Sequence, residues 1–382
     1  MDETADLTAQ LVAIASVNPS LVPGGAGETA AATFVAAWLR ERGADVQWLE
    51  ATPGRPSVVG CFVGSGGGPA LLLNGHLDTV TLAGYRGDPL LPAVRDGRMY
   101  GRGSFDMKSG VAAMLVAAHR AASGGLRGDV IVACVADEED ASLGTEEVLR
   151  ATSADAAIVV EPTGCAIDVV HKGFVWGTLT SHGVAAHGSR PDLGVDAIAK
   201  IGRALIEIAA LDARLRAGPP HPLLGTGSVH ASLIAGGAER SSYPASCTVE
   251  IERRTMPGED AATFRAELAA IVAACAAEDP AFSATVAIGL ERHPFATPPD
   301  ALILRTLRTC AAEALDATPR EEGVPYWTDA ALLAAAGIPT VIFGVAGDGA
   351  HAAEEYVELA SLALVTDILT TTIRAFCGAA QR

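Results

Sequence analysis

The chain has 382 residues, 49% of them apolar, and a formal net charge of −18. Its length exceeds what one hydrophobic core usually fills, so two domains are expected. The negative charge, with no concentrated basic surface, argues against a nucleic-acid partner. In chain order, residues 29–42 read as an amphipathic helix ended by Gly43, and residues 58–63 and 70–73 as strands flanking the flexible turn 64–68. A helix at 108–122 follows, then strands at 130–136 and 156–160. Alternating strands and helices of this kind indicate an α/β fold with a mainly parallel sheet.

After Lys172 the texture changes. Strand 174–180, helix 196–211, strands 227–234 and 245–253, helix 261–277 and strand 282–288 give the order βαββαβ, a split sheet covered by two helices. It reads as an inserted domain, 173–290, between two parts of one α/β domain, 1–172 and 291–382. The α/β pattern resumes with helix 302–315, strand 339–343 and a C-terminal helix from residue 359. Charges, glycine or proline interrupt each apolar stretch before it could span a bilayer, and the acidic start Asp2-Glu3 lacks the parts of a secretory signal. A soluble, cytoplasmic protein with no membrane partner is expected. Seven widely spaced cysteines, with no Cys-x-x-Cys pair, read as buried free thiols.

Polar groups recur where strands end. Glu138 and Glu139 stand side by side in Asp137-Glu138-Glu139-Asp140, just past the apolar run 130–136. Neighbouring residues of a continuing strand face opposite ways, so two adjacent carboxylates can serve one site only where the strand gives way to a loop. His76-x-Asp78 closes another apolar run, either as a solvated turn or as a metal-binding imidazole with its orienting carboxylate. Asp106 precedes a helix, as a cap or as a carboxylate bridging two cations about 3.5–4 Å apart. Glu161 ends a strand broken by Pro162, and His351 sits in the small-residue loop Gly347-Asp348-Gly349-Ala350-His351. Two cations need about that many ligands, in a mixed nitrogen and oxygen set that suits Zn²⁺ or Co²⁺.

As an ordered set spanning nearly the whole chain, His76-x-Asp78, Gly101-Arg102-Gly103-x-x-Asp106-Met107-Lys108, Asp137-Glu138-Glu139, Glu161 and His351 resemble the M20 metallopeptidase family. That family includes acetylornithine deacetylase, succinyl-diaminopimelate desuccinylase, aminoacylase-1 and glutamate carboxypeptidase. The resemblance implies two divalent cations, with His76 and Glu161 on one, Glu139 and His351 on the other, and Asp106 between them. It further implies that Asp78 orients His76 and that Glu138 is the general base for a metal-bridged water attacking an amide. The implied fold is a zinc-exopeptidase-like catalytic domain with a ferredoxin-like lid through which two copies dimerise.

Within the inserted domain, His187 in the segment 181–191 matches the family's lid histidine and Arg254 takes the position of a substrate-carboxylate arginine; Arg292, near the domain's exit, is a second candidate for that duty. A histidine at the dimer seam and a salt bridge on an exposed strand face are the alternatives. Ser241 departs from the asparagine many relatives carry there, and a hydroxyl offers a different hydrogen-bond set. Tyr326-Trp327-Thr328-Asp329 falls near the family's cleft or packs beneath the second metal. The expected substrate is an N-acyl-L-amino acid, with dipeptide or N-succinyl substrates as alternatives. A catalytically silent binding protein is the remaining one.

Overall fold

Strands that are apolar along their whole length belong inside a sheet covered on both faces. The computed structural model, which describes residues 2–378, places them there, and the chain divides into two units. One unit runs to Val169 and resumes with Thr297–Glu322 and again from Thr328; the other is Val170–Ala296 with Gly323–Trp327. The second unit thus begins three residues before the boundary expected from sequence and ends six after it. The physical reason is a short strand pair, His171 with Phe295 and Val170 with Ala296, which holds the unit's ends together.

The first unit opens with helices Glu3–Val12 (α1) and Thr29–Glu41 (α2) and strands Asp45–Leu49 (β1), Ser57–Phe62 (β2) and Leu71–His76 (β3). Two short strands follow, Ala93–Arg95 (β4) and Arg98–Tyr100 (β5), then helix Lys108–Ala122 (α3) and strand Val130–Val135 (β6). Helix Leu143–Ala151 (α4) leads to strands Ala156–Val159 (β7) and Ile167–His171 (β8). Helix α3 is buried along nearly all its length. It can lie that close to the sheet because residue 110 is glycine, where a Cβ would stand 2.3 Å from the Val160 carbonyl oxygen.

The second unit is Gly173–His182 (β9), Ala197–Ala217 (α5), Ser228–Gly236 (β10), Ser246–Thr255 (β11), Ala261–Glu278 (α6), Ala284–Arg292 (β12) and Phe295–Ala296 (β13). Its four long strands are antiparallel in the order β10-β11-β9-β12, the ferredoxin-like arrangement. Alternation along β9 and β11 turns Val175, Leu179, Val249 and Ile251 onto a core shared with Ile201 and Ile208 of α5 and Phe264 and Leu268 of α6. Asp196 and Asp260 cap those helices by accepting backbone N–H groups, each worth about 1 kcal/mol.

The first unit then resumes with Leu302–Leu315 (α7), Glu321–Val324 (β14), Ala330–Ala335 (α8), Thr340–Phe343 (β15), Gly347–Asp348 (β16), Tyr356–Glu358 (β17) and Leu359–Cys377 (α9). Its main sheet runs β1-β2-β6-β3-β7-β15-β8, parallel across β6, β3, β7 and β15 and antiparallel at the flanks. Helices α1, α2, α3, α7 and α9 share the large core on one face; α4 and α8 pack on the other. A small antiparallel sheet, β16-β17-β5-β4, joins segments far apart in sequence. By length and mean hydropathy α9 meets the composition of a membrane span, although Asp367 and Arg374 interrupt its apolar run as expected. Its Leu362, Val365, Ile368, Leu369 and Ile373 are buried in the core of this unit.

Candidate metal centre

The parallel strands deliver their polar groups at one end. His76 is the last residue of β3, Glu138 and Glu139 follow β6, and Glu161 follows β7. Functional groups at the carboxyl ends of strands are what an open α/β sheet favours. Asp106 enters from the loop between β5 and α3, and His351 from the loop between β16 and β17. Asp137 and His351 hold left-handed backbone conformations, φ 71° and 61°, which turn the chain sharply beside the site.

Asp106 faces both imidazoles. Its Oδ1 is 3.1 Å from His76 Nε2 and its Oδ2 is 3.3 Å from His351 Nε2. Glu139 Oε2 stands 3.0 Å from His351 Nε2, while Glu161 Oε1 and Glu138 Oε2 stand 3.8 and 4.0 Å from His76 Nε2. Two ligand atoms bound to one tetrahedral Zn²⁺ lie roughly 3.3 Å apart, so most of these separations are those of shared ligation. Glu139 Oε1 is buried and has no hydrogen-bond partner among the described residues. A cation would satisfy it, and the residues fit a two-metal group.

The ring orientation of His76 suits ligation through Nε2, because Nδ1 lies 3.0 Å from the main-chain oxygen of Asp78. The Asp78 carboxylate stands farther off, 3.6 Å from that nitrogen. It accepts instead from the backbone N–H groups of Glu138 and Glu139, both at 3.2 Å, and from Asn18 Nδ2 at 2.8 Å. Asp78 therefore holds the peptide backbone of the adjacent glutamates. Behind it Asn18 and Arg55 both reach Asp137 Oδ1, and Arg55 is paired bidentately with Glu28. Asp329 Oδ2 accepts from Thr145 Oγ1 at 2.6 Å, and Thr145 accepts from Asn74 on β3.

Crowding of acids sets the protonation. Burial pushes the Glu161 carboxyl up to about 8, against the pull of His76 and with Asp106 and Glu139 adding to the rise. Burial and the Glu161 charge raise Glu138 well above the usual carboxylate range, and burial and Asp106 raise Glu139. Burial also lifts Asp329, to about 6. Asp106 goes the other way: burial opposes, yet hydrogen bonds with His351 and His76 hold it well below that range. Hydrogen bonds to Asp106 and Glu139 lift His351 to about 10. Burial disfavours charge on His76, but the Asp106 bond and the surrounding carboxylates raise its pKa well above 6.5 all the same. Protons thus occupy positions that bound cations would take.

All seven first-unit residues singled out in the sequence, His76, Asp78, Asp106, Glu138, Glu139, Glu161 and His351, meet in this cluster. His187 and Arg254 belong to the second unit. There His187 is exposed with Nδ1 2.8 Å from Ser189 Oγ, and the neighbouring Gly188 N–H donates to the Ser241 carbonyl at 2.6 Å. Arg254 Nε donates to Glu252 at 2.7 Å, and its guanidinium lies 5.2 Å over the Phe174 ring. Arg292 lies over Trp327, and Asp329 belongs to the first unit. Sequence reasoning passed over Asn18, Arg55, Thr145 and Glu355. Of these, Glu355 alone carried a signal, an acid four residues beyond His351.

The model of peptidase family M20/M25/M40 matches residues 72–375. An acetylornithine deacetylase of Myxococcus xanthus is 31% identical over 325 residues, 82% of each chain. A succinyl-diaminopimelate desuccinylase of Xanthomonas oryzae pv. oryzae is 31% identical over 401 aligned positions, 98% of each chain. Among solved structures, a tripeptidase of Staphylococcus aureus superposes with a TM-score of 0.79 over 98% of both chains at 20% identity, a likeness of fold.

Proposed function

This chain belongs to peptidase family M20/M25/M40 and is a metal-dependent hydrolase of amide bonds, and from that premise we propose that it deacylates N-acyl-L-amino acids, as an acetylornithine deacetylase does. The observation that carries the proposal is the division of labour around Asp106. Asp106 stands between His76 and His351, Glu161 and Glu139 flank one histidine each, and Glu138 is left beside them. His76, Asp106 and Glu161 would hold one cation and Asp106, Glu139 and His351 the other, Zn²⁺ first and Co²⁺ second by donor type. Such a pair supplies an acidified water and a Lewis acid for the amide carbonyl.

The chain's own groups do the rest. Glu138 takes the proton of the attacking water and returns it to the departing amine, as general base and then acid. The Asp78 carboxylate keeps the backbone N–H groups of Glu138 and Glu139 fixed while this happens. In this reading His187 reaches the oxyanion formed at the partner subunit's centre, and Arg254 clamps the free carboxylate of the substrate through a planar fork.

Acyl-group removal is preferred because relatives 31% identical over 82–98% of this chain are a deacetylase and a desuccinylase. Dipeptidase and carboxypeptidase activities are the second reading, favoured by the fold shared with a tripeptidase. N-acetyl and N-succinyl amino acids assayed against dipeptides, with Zn²⁺ or Co²⁺ supplied, decide between them. Faster turnover of dipeptides overturns the proposal. The enzyme is further proposed to work in the cytoplasm as a homodimer joined through the second unit. Edge strand β10 exposes Leu233 and Ile234, and α5 exposes Ile198 and Ile206, an apolar surface suited to a second copy. Sedimentation equilibrium that finds only monomer refutes it.

A further inference from the structure

We propose that Glu355 is a positioning residue for the metal centre, fixing the backbone that carries Asp106 to the loop that carries His351; this rests on the reading that the cluster holds two cations. Glu355 is 1% exposed, and four N–H groups converge on its carboxylate. Oε1 accepts from the backbone of Phe105 at 2.9 Å and of Asp106 at 3.0 Å. Oε2 accepts from the backbone of Gly103 at 3.0 Å and from Arg102 Nη1 at 2.8 Å. Charge-assisted bonds of this kind are stronger than neutral ones, and here they grip three of the four residues that lead to Asp106 and Asp106 itself.

Arg102 extends the clamp. Its Nη2 donates to the Ala352 carbonyl at 2.8 Å and its Nε to the Thr81 carbonyl at 3.1 Å, so three segments near the ligands share one fork. The small sheet brings these segments together, since β17 pairs with β5 through Tyr356 and Tyr100. Gly103, at φ 77°, lets the loop turn its N–H groups inward; a Cβ there would stand 2.9 Å from Thr79 Cγ2. The consequence falls on Asp106, whose two oxygens face His76 and His351 at 3.1 and 3.3 Å. A site of this kind works only while its groups are held within about 0.5 Å of the productive arrangement.

Glutamine has the shape of glutamate but only one carbonyl oxygen, so in Glu355→Gln the amide NH₂ must face two of the four donors. The test compares wild type and E355Q by Zn²⁺ titration against a competing chelator, by visible absorption of the Co²⁺ forms, and by kcat and KM on the best amide substrate. E355Q is expected to bind the second Zn²⁺ equivalent about 10–100-fold more weakly, to alter the Co²⁺ spectrum, and to lose kcat with KM unchanged. Glu358→Gln, at the end of β17 with a half-exposed carboxylate 3.8 Å from Arg98, is the control that changes none of these.

Wild-type Zn²⁺ affinity and an unaltered Co²⁺ spectrum in E355Q overturn the inference and leave the two-metal reading standing. Wild-type protein that takes up no Zn²⁺ overturns that reading, and the inference with it. Should E355Q fail to fold, Arg102→Lys carries the same test. One ammonium cannot reach Glu355, Ala352 and Thr81 together, so the same losses are expected, and wild-type metal binding in R102K overturns the inference.

Discussion

Glu138→Gln separates a base from a ligand. The substitution keeps the side chain's volume, and its backbone N–H remains bonded to Asp78 at 3.2 Å, so the loop should keep its course. What is lost is the ability to take a proton. General-base catalysis contributes about 10²–10⁴-fold, which is about 3–5 kcal/mol of barrier. Because that interaction is made only in the transition state, kcat should fall by this factor with KM nearly unchanged. A rival assignment exists, since His76, Glu138 and Glu161 also present ligand atoms within 4.8 Å of one another. Were Glu138 a ligand, the variant would lose a metal equivalent as well as activity. Metal content by elemental analysis, measured beside kcat and KM, decides. Two retained equivalents with the stated loss of kcat support the base; near-normal turnover, or one missing equivalent, refutes it.

Metal loading of the stripped protein should release protons. Near neutral pH Glu161, with a pKa of about 8, and His351, at about 10, both hold protons they must shed to bind. At least two protons per chain are expected by calorimetry in buffers of different ionisation enthalpy, with affinity rising as pH rises; no release contradicts the ligand set. Arg55→Met strands the buried carboxylates of Glu28 and Asp137 and should cost about 3–5 kcal/mol in denaturant unfolding. Asp168→Asn should stabilise. Asp168 is buried with both oxygens unpaired among the described residues, and burial pushes its carboxyl up to about 7. The folded chain therefore holds a proton that the unfolded chain releases near pH 4, and wild-type stability falls as pH rises between those values. Relative to wild type, D168N should gain about 3 kcal/mol between about pH 5 and about pH 8. A pH-independent difference would refute it.

Elements with a long hydrophobic period were legible in the chain. The helix read at 302–315 is Leu302–Leu315, and the order βαββαβ is that of β9, α5, β10, β11, α6 and β12. Strands β4, β5, β16 and β17 are two or three residues long, too short to show any alternation, yet they hold the Asp106 and His351 loops together. Helix α4 begins within a few residues of the acidic cluster, where charges conceal the period. The partnerships Asn18 with Asp137 and Arg102 with Glu355 join residues 119 and 253 positions apart. Such pairs are created by the fold, and no local pattern marks them.

The same distinction explains why adjacent glutamates can take different duties. Sequence places Glu138 and Glu139 at the end of an apolar run, which allows both to turn toward one site. It is Asp137 that makes the turn, with φ 71° and a carboxylate oxygen contacted by both Arg55 and Asn18. The next two peptides then present their N–H groups to Asp78, leaving Glu139 Oε2 at 3.0 Å from His351 and Glu138 Oε2 at 4.0 Å from His76. Glu139 is thus set against His351, while Glu138 shares the His76 side with Glu161, whose Oε1 is 3.8 Å from the same nitrogen. A change at Asp137 should therefore disturb base and ligand together, whereas E138Q touches the base alone. Comparison of Asp137→Asn with E138Q for metal content checks this: the first should lower it and the second should not.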